Sequence, residues 1–378
     1  MELVALVERG MTSLQALRAA TVTSAELIGR DDELGRLQDE GPDGRMGEVA
    51  TRPRSPPARR GHMRFTLGLP TDHIEQPEFF TASALMRMAQ VAEQAGFGAV
   101  NITDHPFPPA KWVAAGGHHD LDPITGLAFA AAATNDILLH TNIYVAAYRN
   151  PFLTAKSVAT LDTLSGGRVI FGVGAGYLTP EFAALGVPFE RRGARLDRAL
   201  DAIVRAWTGE PLTAETDEWT AAGNQLLPLP ASRPHPPIWV GGNSEAAMRR
   251  VARIAQGWIP FPAGKTMAKA VRTTALSSVD DLQARIGTLR GYRAEAGRAD
   301  DPLDVCCTPF SNPYQQQRHD LKALEQEVYE LAAAGVTWMC IYLPVTDLDG
   351  YLHEIERFGE MVIRPTAANG NLTALDSC

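Results

Sequence analysis

The sequence predicts an α/β protein built as a (β/α)8 TIM barrel behind a largely disordered N-terminal extension. Three observations carry this. From Met63 onward, short β-rich apolar runs alternate with stretches of helical periodicity, the pattern of βα units on a parallel sheet. Eight such runs occur, and eight strands alternating with helices over about 300 residues is the arithmetic of a closed barrel. Helical stretches also stop on glycine before the next strand, as at Gly96 and Gly335, where a left-handed C′ residue ends a helix. A doubly wound open sheet is the weaker alternative: eight strands exceed its usual count, and no GxGxxG follows the first.

In chain order, the expected strands are 64–69, 99–103, 138–145, 168–173, 237–240, 257–260, 303–308 and 336–343. The clearest helices are 83–95, with an apolar stripe, 195–207, ended by Gly209 and Pro211, and the run that closes at 331–335. Residues 41–62, GPDGRMGEVATRPRSPPARRGH, hold almost no large apolar side chain and read as a linker that cannot offset the entropy of ordering. Before them, Leu14, Leu17, Ala20 and Leu27 suit one or two short amphipathic helices. The division is therefore 1–62 as extension or remnant, 63–365 as barrel and 366–378 as tail, with Met63 as the functional beginning. The run GMTSLQALRAATVTSAELIGRDDELGRL resembles the helical tail of amidohydrolases and carries no catalytic group.

Composition narrows the function classes. Of the 378 residues, 45% are hydrophobic, and net charge is −9 with a pI near 5.5. That much apolar surface forms a core, and an acidic chain offers no general grip on nucleic acid. Cys306, Cys307, Cys340 and Cys378 show no zinc spacing and read as reduced thiols, with Cys306 and Cys307 on opposite faces of one strand. MELVALVERG has charge inside any would-be signal core, and no stretch reaches 18 apolar residues. The expectation is a soluble cytoplasmic protein without membrane contact.

In a barrel, chemistry gathers at the C-terminal strand ends. The second strand ends in Asp104-His105, a general acid–base beside a carboxylate that can orient it. The third runs through Asn142, Ile143 and Val145. The fourth gives Gly172, Gly174 and Gly176, which alternate, share one strand face and leave room for a flat ring, followed by Tyr177 and Glu181. The fifth gives Gly241-Gly242-Asn243-Ser244 opening a helix, where bare backbone N–H groups attract an anion. His118, His119, Asp120 and Asp122 fit no metal spacing and read as a solvated loop, so no metal is expected.

Together these residues carry a resemblance. Thr103-Asp104-His105, the run from Tyr148 to Lys156, ATLDTLSGGRVIFGVGAGY at 159–177, Glu181-Phe182, PPIWVGGNS at 236–244 and Gly257-Trp258 resemble the luciferase-like flavin-dependent oxidoreductases in their deazaflavin (coenzyme F-420) branch. The resemblance spans about 300 residues. It implies a barrel of the bacterial-luciferase type, a homodimer, and hydride transfer between bound F-420 and a small organic substrate. FMN, with oxygen making the enzyme a monooxygenase, is the alternative, and a non-catalytic flavin-binding protein is the alternative of another class. It implies catalytic roles for His105, Asp104 and Tyr177. It further implies cofactor contacts from Asp104, Asn142, Ile143, Val145, Gly174, Gly176, Tyr177, Gly241, Gly242, Asn243, Ser244 and Lys265, with Asn142-Ile143 forming a bulge, often cis, behind the ring. Sugar-phosphate dehydrogenases of this branch carry glutamate where Tyr177 stands, which argues against their substrate.

Overall fold

A computed structural model describes residues 63–72, 75–311 and 320–368. The extension at 1–62, Cys378 and most of the expected tail lie outside the described residues.

Eight parallel strands close into a barrel: β1 (Arg64–Gly68), β2 (Ala99–Ile102), β3 (Leu138–Thr141), β4 (Val169–Val173), β7 (Ile238–Gly241), β8 (Gly257–Ile259), β9 (Asp304–Cys307) and β10 (Trp338–Ile341). β1 pairs with both β2 and β10, which completes the ring. Between β4 and β7 an antiparallel hairpin, β5 (Leu212–Glu215) and β6 (Thr220–Asn224), stands outside the barrel. Its alternation is weak and mostly exposed, so the sequence did not announce it.

The α-helices among the described residues, in order, are α1 (Ala82–Ala95), α2 (Ala110–Ala114), α3 (Pro123–Ala133), α4 (Pro151–Leu164), α5 (Thr179–Ala184), α6 (Arg192–Ala206), α7 (Glu245–Ile254), α8 (Lys265–Ala270), α9 (Val279–Glu295), α10 (Leu321–Ala334), α11 (Leu348–Phe358) and α12 (Arg364–Ala368). α1 illustrates why they form. Thr81 caps its start by accepting from the Ala84 N–H, and Gly96 ends it at φ 96°. Ala84, Leu85, Met88, Ala92 and Ala95 recur on one face and are buried, each large side chain worth roughly 1.5–3 kcal/mol.

Strand alternation sorts side chains between two layers. Phe65, Leu67, Val100 and Cys307 face the helices, while Trp239, Cys306, Trp338 and Cys340 fill the barrel interior. Cys306 and Cys307 thus point to opposite faces, as their adjacency requires, and all three described cysteines are free and buried. Gly257 leaves the space for Trp239, since a Cβ there would lie 2.3 Å from its ring. At the N-terminal end, Arg64 pairs with Asp304 at 2.9 Å and stacks over Trp338. His140 is fully buried against Trp239, and burial pulls its imidazole down to about 3.

The expected strand over 138–145 stops at Thr141. Asn142-Ile143 is a cis peptide, and the chain rejoins the sheet only through a Tyr144–Val173 bridge. The long motif 159–177 runs from the N-terminal face to the mouth. Asp162 accepts from the Ser232 N–H and Oγ, and Arg168 holds the carbonyls of Ala131, Thr134 and Ile137. This half of the motif ties helices to the barrel floor, and only its glycine end reaches the mouth. Among the described residues no helix is long and apolar enough to cross a membrane.

Candidate active site

The loop after β2 brings His105 to the mouth, buried beneath its neighbours. Its Nδ1 lies 3.2 Å from Glu181 Oε2, and Tyr177 OH lies 3.4 Å from its Nε2. Glu181, at 0% exposure, also accepts from Tyr148 OH at 2.7 Å and from the Phe107 N–H at 2.9 Å. Burial alone would raise this carboxyl. The His105, Tyr148 and Phe107 donors outweigh it and hold Glu181 below the usual range. An ionised Glu181 fixes the proton of His105 on Nδ1 and leaves Nε2 toward Tyr177. Burial, then Glu181, pushes the Tyr177 hydroxyl up to about 12, so it serves as a donor.

Asp104 does not orient His105. Its carboxylate accepts two bonds from Arg149, at 2.6 and 2.8 Å, and one from the Val145 N–H at 2.8 Å. The adjacent side chain was the obvious partner in sequence, but the backbone turn aims it at the next loop. Asp104 therefore ties the β2 and β3 ends together, and Val145 contributes its backbone to that tie.

Ile143, just past the end of β3, packs partly buried on the barrel-interior cluster. A Cβ on Gly241 would lie 2.1 Å from its Cδ1, and one on Gly174 3.1 Å from its Cγ2. Two bare backbones thus form the floor on which Ile143 lies, half-exposed above. Asn142 turns inward, its Nδ2 within 3.3 Å of Asn101 Oδ1 and Cys340 Sγ and 3.5 Å of Tyr342 OH. Gly174 and Gly176 lie beyond β4, which ends at Val173, so the three glycines do not share a strand face; Gly176 has φ 75°. Gly174 and Gly241 border the apolar surface of Ile143, whereas Gly176 packs against Val145 and Phe182.

The β7 loop is built differently from expectation. Gly242 needs φ 111°, yet a Cβ there would meet nothing closer than 3.5 Å, so its constraint is backbone geometry rather than space. Asn243 is fully buried and spends its side chain on Phe261 and Thr274 and its N–H on Thr273 Oγ1. It clasps loops together and offers no group to a ligand. Ser244 caps α7 by accepting from the Ala247 N–H. Lys265 stands exposed at the start of α8.

Sequence reasoning missed a wall of this site. His118 is half-buried, with its ring 4.9 Å from that of His105, and Trp112 lies 4.7 Å from His105 on the other contact. Burial, then His105, holds His118 below its usual value. Asp120 accepts from Thr71 Oγ1 and the Leu121 N–H, and Asp122 caps α3. The stretch read as a solvated loop is thus part of the mouth. The missed signal was an aromatic, Trp112, flanked by histidines on both sides. Among the described residues no group of three or more His, Cys, Asp or Glu could hold a metal.

The luciferase-like monooxygenase family profile matches residues 63–312. An F420-dependent hydroxymycolic acid dehydrogenase of Mycobacterium tuberculosis is 30% identical over 289 residues, covering 70% of this chain and 76% of that protein. An FMNH2-dependent dimethylsulfone monooxygenase of Pseudomonas putida is 26% identical over 235 residues, covering 61% and 59%. In fold, a monooxygenase from Streptomyces bottropensis superposes with a TM-score of 0.65 at 21% identity, covering 80% of this chain and 99% of that one.

Proposed function

Because the chain belongs to the luciferase-like monooxygenase family, whose members similar to it are oxidoreductases, we propose that it transfers hydride between bound deazaflavin F-420 and a small organic substrate. The observation that carries this reading is an apolar platform, Ile143 on Gly174 and Gly241, at the same end of the barrel as a carboxylate-oriented imidazole, His105 on Glu181. Bound deazaflavin supplies a carbon centre that takes or gives hydride, while the protein supplies orientation and electrostatics.

The chain's own residues then divide the work. Ile143 supports the ring from behind, and Gly174, Gly176 and Gly241 permit its close approach. His105 Nε2 gives or takes the proton that accompanies hydride transfer, with Glu181 stabilising the imidazolium. Tyr177 donates to the substrate oxygen, and Trp112 with His118 closes an apolar, aromatic wall around it. The same reading makes the protein cytoplasmic, in keeping with its free buried thiols, and a homodimer. Leu153 and Leu164 favour a partner surface: they share one face of α4 and are 69% and 77% exposed. Light scattering on the purified protein tests that.

The cofactor reading is tested by titrating the pure protein with F-420 and with FMN separately. The expected result is F-420 affinity at least tenfold above that for FMN, a difference of about 1.4 kcal/mol. Tighter binding of FMN would overturn it.

A further inference from the structure

Two arginines sit over one ring at the rim of the mouth. The Arg192 guanidinium lies 4.0 Å from the centroid of Phe189, and that of Arg272 lies 4.6 Å from the same centroid. Neither forms an ion pair within the described residues. Arg192 donates to Gly176 O at 3.1 Å and weakly to Phe189 O, and Arg272 makes one long bond to Thr179 Oγ1. Burial and the charge of Arg272 both push the Arg192 guanidinium down, and exposed Glu190 offsets them only in part. Like charges held together with unused donors are costly unless an anion completes the group.

Their placement says which anion. Arg192 bonds the loop after β4 through Gly176. Arg272 directly precedes Thr273 and Thr274, which bond Asn243 in the loop after β7. β4 and β7 are neighbours in the barrel, so the two cations flank one gap in the rim, beside the Ile143 platform. Among the described residues, Arg272 is also the one non-glycine residue that takes a left-handed backbone, at φ 55°, a conformation that persists where surroundings enforce it.

We propose that Arg192 and Arg272 form a clasp for the anionic tail of the cofactor, its phosphate or carboxylate groups, in the gap between the β4 and β7 loops. This rests on the reading of a bound F-420 given above, and it gives Arg272 the cofactor contact that the resemblance implied for Lys265.

The test is equilibrium binding, independent of turnover. Wild type, Arg272→Ala, Arg272→Gly and Lys265→Ala are titrated with F-420 at rising salt, and with a deazaflavin that lacks phosphate and tail. Arg272→Gly suits the left-handed backbone and so separates charge from strain. Both Arg272 variants are expected to bind F-420 about tenfold more weakly with a flatter salt dependence. They should bind the tail-less ring as wild type does, and Lys265→Ala should match wild type throughout. Unchanged affinity in the Arg272 variants, or equal loss for the tail-less ring, would overturn the clasp. If wild type binds no F-420, the cofactor reading falls. Inorganic pyrophosphate then decides the clasp: binding that Arg272→Ala abolishes upholds it, and binding that survives overturns it.

Discussion

His105 Nδ1 faces Glu181 Oε2 at 3.2 Å across 76 residues of chain, and this contact sets the imidazole at the barrel mouth. Glu181 in turn is held by Tyr148 OH and the Phe107 N–H. The acid–base group is therefore oriented by the helix after β4, while the carboxylate beside it in sequence, Asp104, secures the loops behind.

If Nε2 handles the proton, His105→Ala should lower kcat by roughly 10²–10⁴-fold while the cofactor Kd changes little. Steady-state rates paired with cofactor titration read both. A rate within a few fold of wild type would remove His105 from proton transfer.

Glu181→Gln keeps the shape but leaves only one accepting oxygen for three donors. One donor is left facing an amide N–H, which costs about 1–3 kcal/mol of stability. The wild-type carboxylate is held low, so it stabilises the fold above the ordinary carboxylate value. That contribution is lost as pH falls through its depressed value. Acid unfolding curves of the two proteins should converge at low pH and separate above it. Curves that stay parallel would show that Glu181 contributes no titrating interaction.

Much of this was legible in sequence because period and position do different work. Strand and helix alternation places all eight barrel strands to within a few residues, since the inward and outward faces of Phe65, Thr66 and Leu67 leave no freedom of register. Strand ends then name the mouth. What sequence cannot show is where a side chain aims after the strand stops. Asp104 and His105 diverge there, Asn243 turns inward, and His118 folds back onto His105. Trp112 and His118 carry no periodic signal, because both lie in loop or single-turn helix.

Glycines that look alike should fail differently. A Cβ on Gly241 would displace Cδ1 of Ile143, the free end of a side chain, whereas one on Gly172 would lie 2.1 Å from Thr141 O, a backbone atom. Gly241→Ala should therefore fold and weaken the cofactor by more than about 1.4 kcal/mol, a factor of ten. Gly172→Ala should lose stability first, by roughly 1–3 kcal/mol as for overpacked cores. Thermal midpoints and cofactor affinities, measured on both, check this. The same phenotype in both would show that Ile143 is not the platform.

Asp120 provides a test of opposite sign. Burial raises its carboxyl well above the usual range, and Asp72 and Asp104 add to this, against donation from Thr71 and Leu121. Tyr342 stands nearby and is itself pushed up by burial. A carboxyl raised by folding holds its proton more tightly than it does in the unfolded chain. Its contribution is whole below the ordinary carboxylate value and drains as pH rises toward the raised one, by at most about 1.4 kcal/mol per pH unit. Asn keeps the Oδ1 that accepts from Thr71 and Leu121 and carries no charge. Asp120→Asn should thus match wild type below the ordinary carboxylate value and exceed it by a growing margin as pH rises above that value. Denaturant midpoints of the two proteins from about pH 5 to about pH 9 measure the gap. A gap that does not widen with pH would mean that Asp120 ionises in the folded protein as freely as in water.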